Sequence, residues 1–431
     1  MTILERSKAY EEYVVQMRRW LHENPELSGR EFGTLKKIDE ELSAYGIEHV
    51  EVENGGIIGF IRGAEDGPVV LLRADMDALP VEELQNLNGS RACFSKNKGV
   101  MHACGHDGHT AMLLAAARML SDMKGELKGT VVLAFERSEE IRTPAGARYL
   151  WKYIYDNGIR VDSCYATHVY SMIPSGTVGI NDEAAMSGIS RFDVTIEGKG
   201  GHGSRPDQSN NPIDCFVTIY QRIEALRMLT NDPYKPVTVS VGKLEGGKQM
   251  NVIPQELSFG GTVRFFDMAE SHKFMNALKK TIDLSAEMCG CKVRYNIFED
   301  PFYISTVNDP VMADFARRAI NEDFGDGSAH PCEPWMASET YGGFLAQWPG
   351  VLCLLGVGDP EKGSGAAHHN GQFDIDESVL IKGVAAAVCY AKNFLEKGAE
   401  LAESRKQYRM SLKELLIAND DKEALEEFFG E

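Results

Sequence analysis

No stretch of this 431-residue chain stays apolar for long. Its longest such runs, Ala111–Ala117 among them, fall far short of the roughly 18 residues a membrane-crossing helix needs. Positive charge is also scarce: 45 Lys and Arg stand against 64 Asp and Glu, a net charge of −19. Nucleic acid and anionic membranes both require a basic face, so neither is expected as a partner. Nine cysteines are present, an odd number without regular spacing, which argues against a disulfide framework. A reducing cytoplasm is the expected compartment. Cys289-Gly290-Cys291 is too tight for a thioredoxin-type pair and reads as small core residues. The opening MTILERSKAYEEYVV mixes charges early and lacks the apolar core of a secretion signal. Neither internal repeats nor low-complexity segments occur. What is there, 43% hydrophobic and 25% charged residues, is a globular composition, long enough for two domains.

Periodicity supplies the organisation. Residues 7–45 read as two amphipathic helices around HENPELSGRE. GGIIGFIRG, GPVVLLRAD and GTVVLAFE read as strands, and MLLAAARML and AGARYLWKYIYD as helices. The continuously apolar strands suit a sheet covered on both faces, so an α/β fold with a mixed, largely parallel sheet flanked by helices is expected. Near Ser187 the pattern changes. SRFDVTIEG, NPIDCFVTIYQRIEALRML, KPVTVSVGKLEGG, ELSFGGTVRFFD, AESHKFMNALKKTIDLSAEM and CKVRYNIFED give β-α-β-β-α-β, a ferredoxin-like α+β arrangement. The alternation then resumes with DPVMADFARRAINEDF, PGVLCLLGVG and ESVLIKGVAAAVCYAKNFLEKG. The expected domains are therefore a main domain in two parts, 1–186 and 304–398, an insert, 187–303, and a C-terminal helical extension, 399–431.

Chemistry-bearing residues gather at strand ends. Cys104 and His106 stand two apart, before a helix, with a glycine between them; thiolate and imidazole suit zinc or a similar divalent ion. His102 and His109 flank them as supporting residues, and Asp107 could hold a ligand histidine by its ring N–H. Glu139 and Glu140 follow the strand GTVVLAF. In a hydrolytic metal site one carboxylate can bind metal while the other moves a proton. CYATHVYS brings His168, AAHHNGQFDIDE brings His368 and His369, and VVLLRADMDALP ends in Asp75 and Asp77. Singly, each has a plain reading as loop packing or a solvated acidic turn. Together, at four or five segment ends, they suggest a metal site.

LLRADMDALPVEE, MHACGHDGHTAMLLAAA, the Glu pair, THV, GGHGSRP, NVIP, GTVRFFD and HHNGQFDIDE occur in this order. With them the sequence resembles the metal-dependent amidohydrolases of the aminoacylase/carboxypeptidase G2-like peptidase family. The closest branch is that of hippurate hydrolases, N-acyl-L-amino-acid amidohydrolases and auxin-conjugate hydrolases. The resemblance spans roughly residues 10–397. It implies a zinc-peptidase-like main domain, a dimerisation or lid role for the insert, and two divalent ions per subunit, Zn or Mn. By motif position it implies Cys104, His106, Glu140, His168 and His369 as ligands. His369 is preferred over His368 because it stands four residues before Phe373. Glu139 is implied as general base and acid, and Asp77 as the residue orienting a ligand. His202 is implied to steady the oxyanion of a neighbouring subunit, and Asn251 and Arg264 to hold the substrate carboxylate. The implied substrate is a small N-acyl amino acid, acyl–NH–CHR–COO⁻, and the implied assembly a homodimer or higher homo-oligomer.

The chain departs from the family pattern beside the site. Glu136-Arg137-Ser138 replaces a usual Gln-Pro-Ala, IRTPAGA replaces a Gly-rich stretch, and Thr340 replaces an aspartate after Glu339. Three other readings stand against hydrolysis of N-acyl amino acids. They are a metal-bearing but catalytically silent binding or regulatory protein, a small dipeptidase, and a hydrolase using Cys104 as nucleophile. Glu139 argues against the silent relative, which has no need of a base beside a ligand.

Overall fold

The computed structural model describes residues 1–141, 146–405 and 409–430. Part of the IRTPAGA segment, residues 142–145, and residues 406–408 and 431 of the expected extension lie outside the described residues. The chain divides into two compact units. The first comprises Met1–Ala185, Val307–Pro334 and Gly343–Leu412, and the second Met186–Thr306, Trp335–Gly342 and Lys413–Glu431. Relative to the ranges expected from sequence, residues 335–342 and 413–431 fall with the second unit. Backbone contacts carry them there: Ser187 N–H donates to the carbonyls of Trp335 and Ala337, and Ile304 N–H to the Asn419 side chain.

The first unit is an α/β layer structure. Its sheet has eight strands in the order Glu48–Val52, Gly56–Arg62, Lys128–Glu136, Glu65–Asp75, Ser163–Pro174, Gly350–Gly358, Val178–Gly179 and Ala329–His330. The four central strands run parallel, and the Gly56–Arg62 side is antiparallel. Apolar runs such as Val131–Phe135 and Val351–Leu355 are buried throughout, as helices on both faces require. Helix Leu380–Lys397 is long and apolar enough by composition to span a membrane, but thirteen of its eighteen residues are buried, which makes it a core helix. Strand Glu48–Val52 escapes the sequence reading because its five residues, two of them glutamates, show no alternation and lie on an exposed edge, and the two-residue strands carry no period at all.

In the second unit a four-stranded antiparallel sheet runs Val237–Gly246, Glu256–Phe265, Gly188–Glu197, Lys292–Tyr303. Helices Pro212–Thr230 and Met268–Met288 pack on it around Phe259, Phe265, Phe274 and Ile219. This is the ferredoxin-like strand order expected from the β-α-β-β-α-β pattern.

Candidate active site

The register of the parallel strands gathers the chemistry. Asp75 pairs with Glu136 across neighbouring strand ends, and Arg73 pairs with Ala166, two residues before His168. Such carboxyl ends are where open α/β sheets place their sites. Helix His106–Asp122 begins at the same edge, and from Ala111 to Ala117 it is wholly buried. Gly105, at its N-cap, has φ +94°, and a Cβ there would come 2.3 Å from Val169 Cγ2. Both facts demand glycine between Cys104 and His106.

Two trios of donors share Cys104. Cys104, His106 and His168 form one, and Cys104, Glu140 and His369 the other, with donor atoms within 4.8 Å of one another in each. His106, Glu139 and Glu140 make a third such group. The separations suit ligands around a cation. Cys104 Sγ lies 3.8 Å from His168 Nε2, His369 Nε2 3.2 Å from Glu140 Oε1, and His106 Nε2 3.9 Å from the same oxygen. Two N or O donors about 2.1 Å from one ion at a tetrahedral angle sit ~3.4 Å apart, and a sulfur–nitrogen pair ~3.6 Å. His106 Nε2 and Glu140 Oε1 are buried and, among the described residues, have no hydrogen-bond partner. Buried polar atoms of this kind are costly unless something binds them. The residues therefore fit a divalent cation.

The surrounding shell sets the tautomers. His106 Nδ1 donates to Asp77 Oδ1 at 3.1 Å, and His168 Nδ1 to the Val169 carbonyl at 2.7 Å, which leaves the Nε2 lone pair of both rings open to the donor cluster. Asp77 also accepts from Glu140 N–H at 3.0 Å and from the Ser28 hydroxyl at 2.6 Å. His109 has both nitrogens engaged, Nδ1 with Asp75 at 2.6 Å and Nε2 accepting from Val169 N–H at 2.8 Å. His368 is engaged likewise, with the Cys104 carbonyl and Ser171 N–H, each at 3.2 Å. Of the adjacent pair it is His369, with φ +60°, that faces Glu140.

Burial dominates the titration of the site. It pushes the Cys104 thiol well up, with Glu140 adding to the shift, and pushes His168 well down, with His109 adding. Burial also depresses His106, but Asp75 and Cys104 outweigh it and raise that ring well above its ordinary value. Asp77 is lowered against its burial by the His106 hydrogen bond.

A buried ionic network behind the loop escapes the sequence reading. Arg18 Nε lies 3.0 Å from Asp107 Oδ2, and His22 Nδ1 2.7 Å from the same oxygen; Asp374 and Glu377 complete the Arg18 contacts. Asp107 is thus fixed directly after His106. The missed signal is Arg18 and His22, four apart on the same helix face as Val14, Met17 and Leu21, where a charge must have a buried partner.

Three residues singled out in the sequence lie on the second unit. His202 and Val252 pair across a two-stranded ribbon, and Gly203 N–H donates to the Asn251 carbonyl at 2.8 Å, so His202 and Asn251 are neighbours. His202 Nδ1 accepts from Ser204 N–H at 3.2 Å, which places the ring proton on the exposed Nε2. Arg264 is half-buried and donates to Ser338 Oγ at 2.7 Å. Asp267, three residues further on, pairs with Lys235 at 2.6 Å. Among the described residues no carboxylate lies within ion-pair distance of Arg264.

The model of peptidase family M20/M25/M40 matches residues 71–393. Thermostable carboxypeptidase 2 of Saccharolobus solfataricus is 34% identical over 395 residues, 90% of this chain and 97% of that protein. IAA-amino acid hydrolase ILR1-like 4 of Arabidopsis thaliana is 33% identical over 418 residues, 94% of this chain and 91% of that protein. The crystal structure of a Bacillus subtilis dinuclear metal-binding peptidase of the same family superposes with a TM-score of 0.75 at 30% identity, covering 90% of this chain and 99% of that one. With its fold, its shared-cysteine donor set and these relatives, this chain belongs to peptidase family M20/M25/M40 and is a metal-dependent amidohydrolase.

Proposed function

We propose that the protein hydrolyses the amide bond of N-acyl amino acids, releasing a carboxylic acid and an amino acid. Cys104, His106, Glu140, His168 and His369 would hold two divalent ions, Zn²⁺ or Mn²⁺. The observation that carries this reading is the pair of donor trios sharing Cys104 beside the buried Glu139. The chemistry such a centre supplies when loaded is acidification of water and polarisation of the amide carbonyl. Glu139 takes a proton from the attacking water and delivers it to the leaving nitrogen. Asp77 holds His106 and the Glu140 backbone in place. His202, with its proton on Nε2, would donate to the developing oxyanion in the site of a neighbouring subunit.

The substrate carboxylate is assigned to Arg264 and Asn251. A half-buried guanidinium without a carboxylate partner among the described residues is suited to a bidentate anion. The names of the two relatives, a carboxypeptidase and an amino acid conjugate hydrolase, are consistent with an amide whose amine side is an amino acid. The second unit is proposed to form a homodimer. Helix Pro212–Thr230 exposes Ile213, Val217, Tyr220 and Met228 on its surface, and strand Val237–Gly246 leaves one edge unpaired. Nine free cysteines suit the cytoplasm.

The test is chelation and reconstitution. Dialysis against a strong chelator should abolish turnover of N-acetyl, N-benzoyl and indole-acetyl amino acids, and Zn²⁺ or Mn²⁺ should restore it. Full turnover by rigorously metal-free protein would overturn the proposal, and would favour Cys104 as a nucleophile.

A further inference from the structure

The segment that leads into Glu139 is held in a way that the proposed mechanism does not use. Ser138 is fully buried with φ +57°, a left-handed conformation that costs a serine energy and persists only where surroundings impose it. Glu31, fully buried at the start of helix Phe32–Ala44, imposes it. Its Oε1 accepts from Ser138 N–H at 2.7 Å and from the Ser138 hydroxyl at 3.1 Å. Its Oε2 receives Arg137 Nε at 3.1 Å and a guanidinium nitrogen at 2.9 Å. Ser138 Oγ in turn accepts from Gly29 N–H at 2.8 Å. Burial and the nearby Asp77 push the Glu31 carboxyl up, a cost that its hydrogen bonds and Arg137 offset in part. One residue past Glu139, Asp77 grips Glu140 N–H at 3.0 Å. The two acidic residues are therefore suspended between two anchors.

We infer that Glu31 is a positioning residue: by locking Arg137 and Ser138 it sets the direction in which Glu139 and Glu140 leave the strand. The departure Glu136-Arg137-Ser138 then makes physical sense. Each of the three polar residues has a buried partner, Glu136 on Arg73 at 2.7 Å and the other two on Glu31. The inference rests on the proposed roles of Glu139 and Glu140.

The test uses the full chain loaded with Zn²⁺ or Mn²⁺ and compares Glu31→Gln, Ser138→Ala and Glu139→Gln. Glu31→Gln sets an amide donor against the Arg137 donors, while Ser138→Ala removes only the hydroxyl links and keeps the fold accessible. Both should lower kcat about ten- to a hundred-fold with KM changed less than about threefold, the effect of an ångström-scale misplacement. Both should also weaken metal retention about tenfold in equilibrium competition with a chromogenic chelator, a readout independent of turnover. If Glu31→Gln fails to fold, Ser138→Ala decides. If Glu139→Gln abolishes turnover while the folded anchor variants keep wild-type kcat and metal affinity, the anchor is refuted alone. If Glu139→Gln leaves turnover intact, the reading of the site falls and the anchor with it.

Discussion

Replacing Arg264 with alanine separates a carboxylate-reading enzyme from a general amidase. The guanidinium is half-buried and pushed down by that burial, it donates to Ser338 Oγ at 2.7 Å, and among the described residues no carboxylate pairs with it, Asp267 being held by Lys235. It therefore carries an uncompensated charge that a substrate carboxylate would satisfy. A hydrogen bond to a charged group contributes about 1.5–3 kcal/mol, which corresponds to roughly ten- to a hundred-fold in kcat/KM. Wild type should prefer an N-acyl amino acid over its neutral C-terminal amide by about that factor. Arg264→Ala should abolish the preference by raising KM for the acid and leaving the amide nearly unchanged. Arg264→Lys should recover part of it, because a point charge remains but the planar fork is lost. Ser338→Ala should do little. The assay is steady-state release of the free amino acid from matched acid and amide substrates. Equal cleavage of both by wild type would refute the carboxylate clamp and reopen the substrate class.

Three further outcomes are expected. Glu139→Gln should keep its metal, measured by elemental analysis, and lose about 10²–10⁴-fold in kcat, whereas Glu140→Gln should lose metal; equal metal content in the two would show the roles are misassigned. Mixing His202→Ala and Arg264→Ala proteins, each impaired on the acid substrate, should restore turnover of that substrate if His202 and Arg264 reach one site from different chains, and an active monomer in sedimentation would exclude that arrangement. Burial raises Asp374, but Arg18 and Arg91 outweigh it and hold it below the usual carboxylate range. A depressed folded pKa means this stability is present above about pH 3.9 and is lost as pH falls through the folded value. Calorimetry should therefore show wild-type Tm dropping below about pH 4 more steeply than that of Asp374→Asn, and parallel curves would rule the pair out as an acid-sensitive element.

The sequence alone determined the α/β class, the ferredoxin-like insert and the segment ends that carry chemistry. Those depend on local period: apolar runs such as Val131–Phe135 form covered strands wherever they are placed, and Cys104-Gly105-His106 is readable as a donor pair from spacing. It could not say which atoms face which. Only the fold showed that His109 and His368 spend both ring nitrogens on neighbours while His369 turns toward Glu140. Only the fold paired Asp267 with Lys235, set Arg18 and His22 against Asp107, and tied Glu31 to Ser138 across 107 residues of chain. The tail shows the same limit, since its charged helices are legible but the unit each packs against is not. The physical reason is one of range. Hydrophobic period is a property of a dozen consecutive residues, whereas the satisfaction of a buried charge or ring nitrogen depends on partners that only the closed chain brings within 3 Å or so.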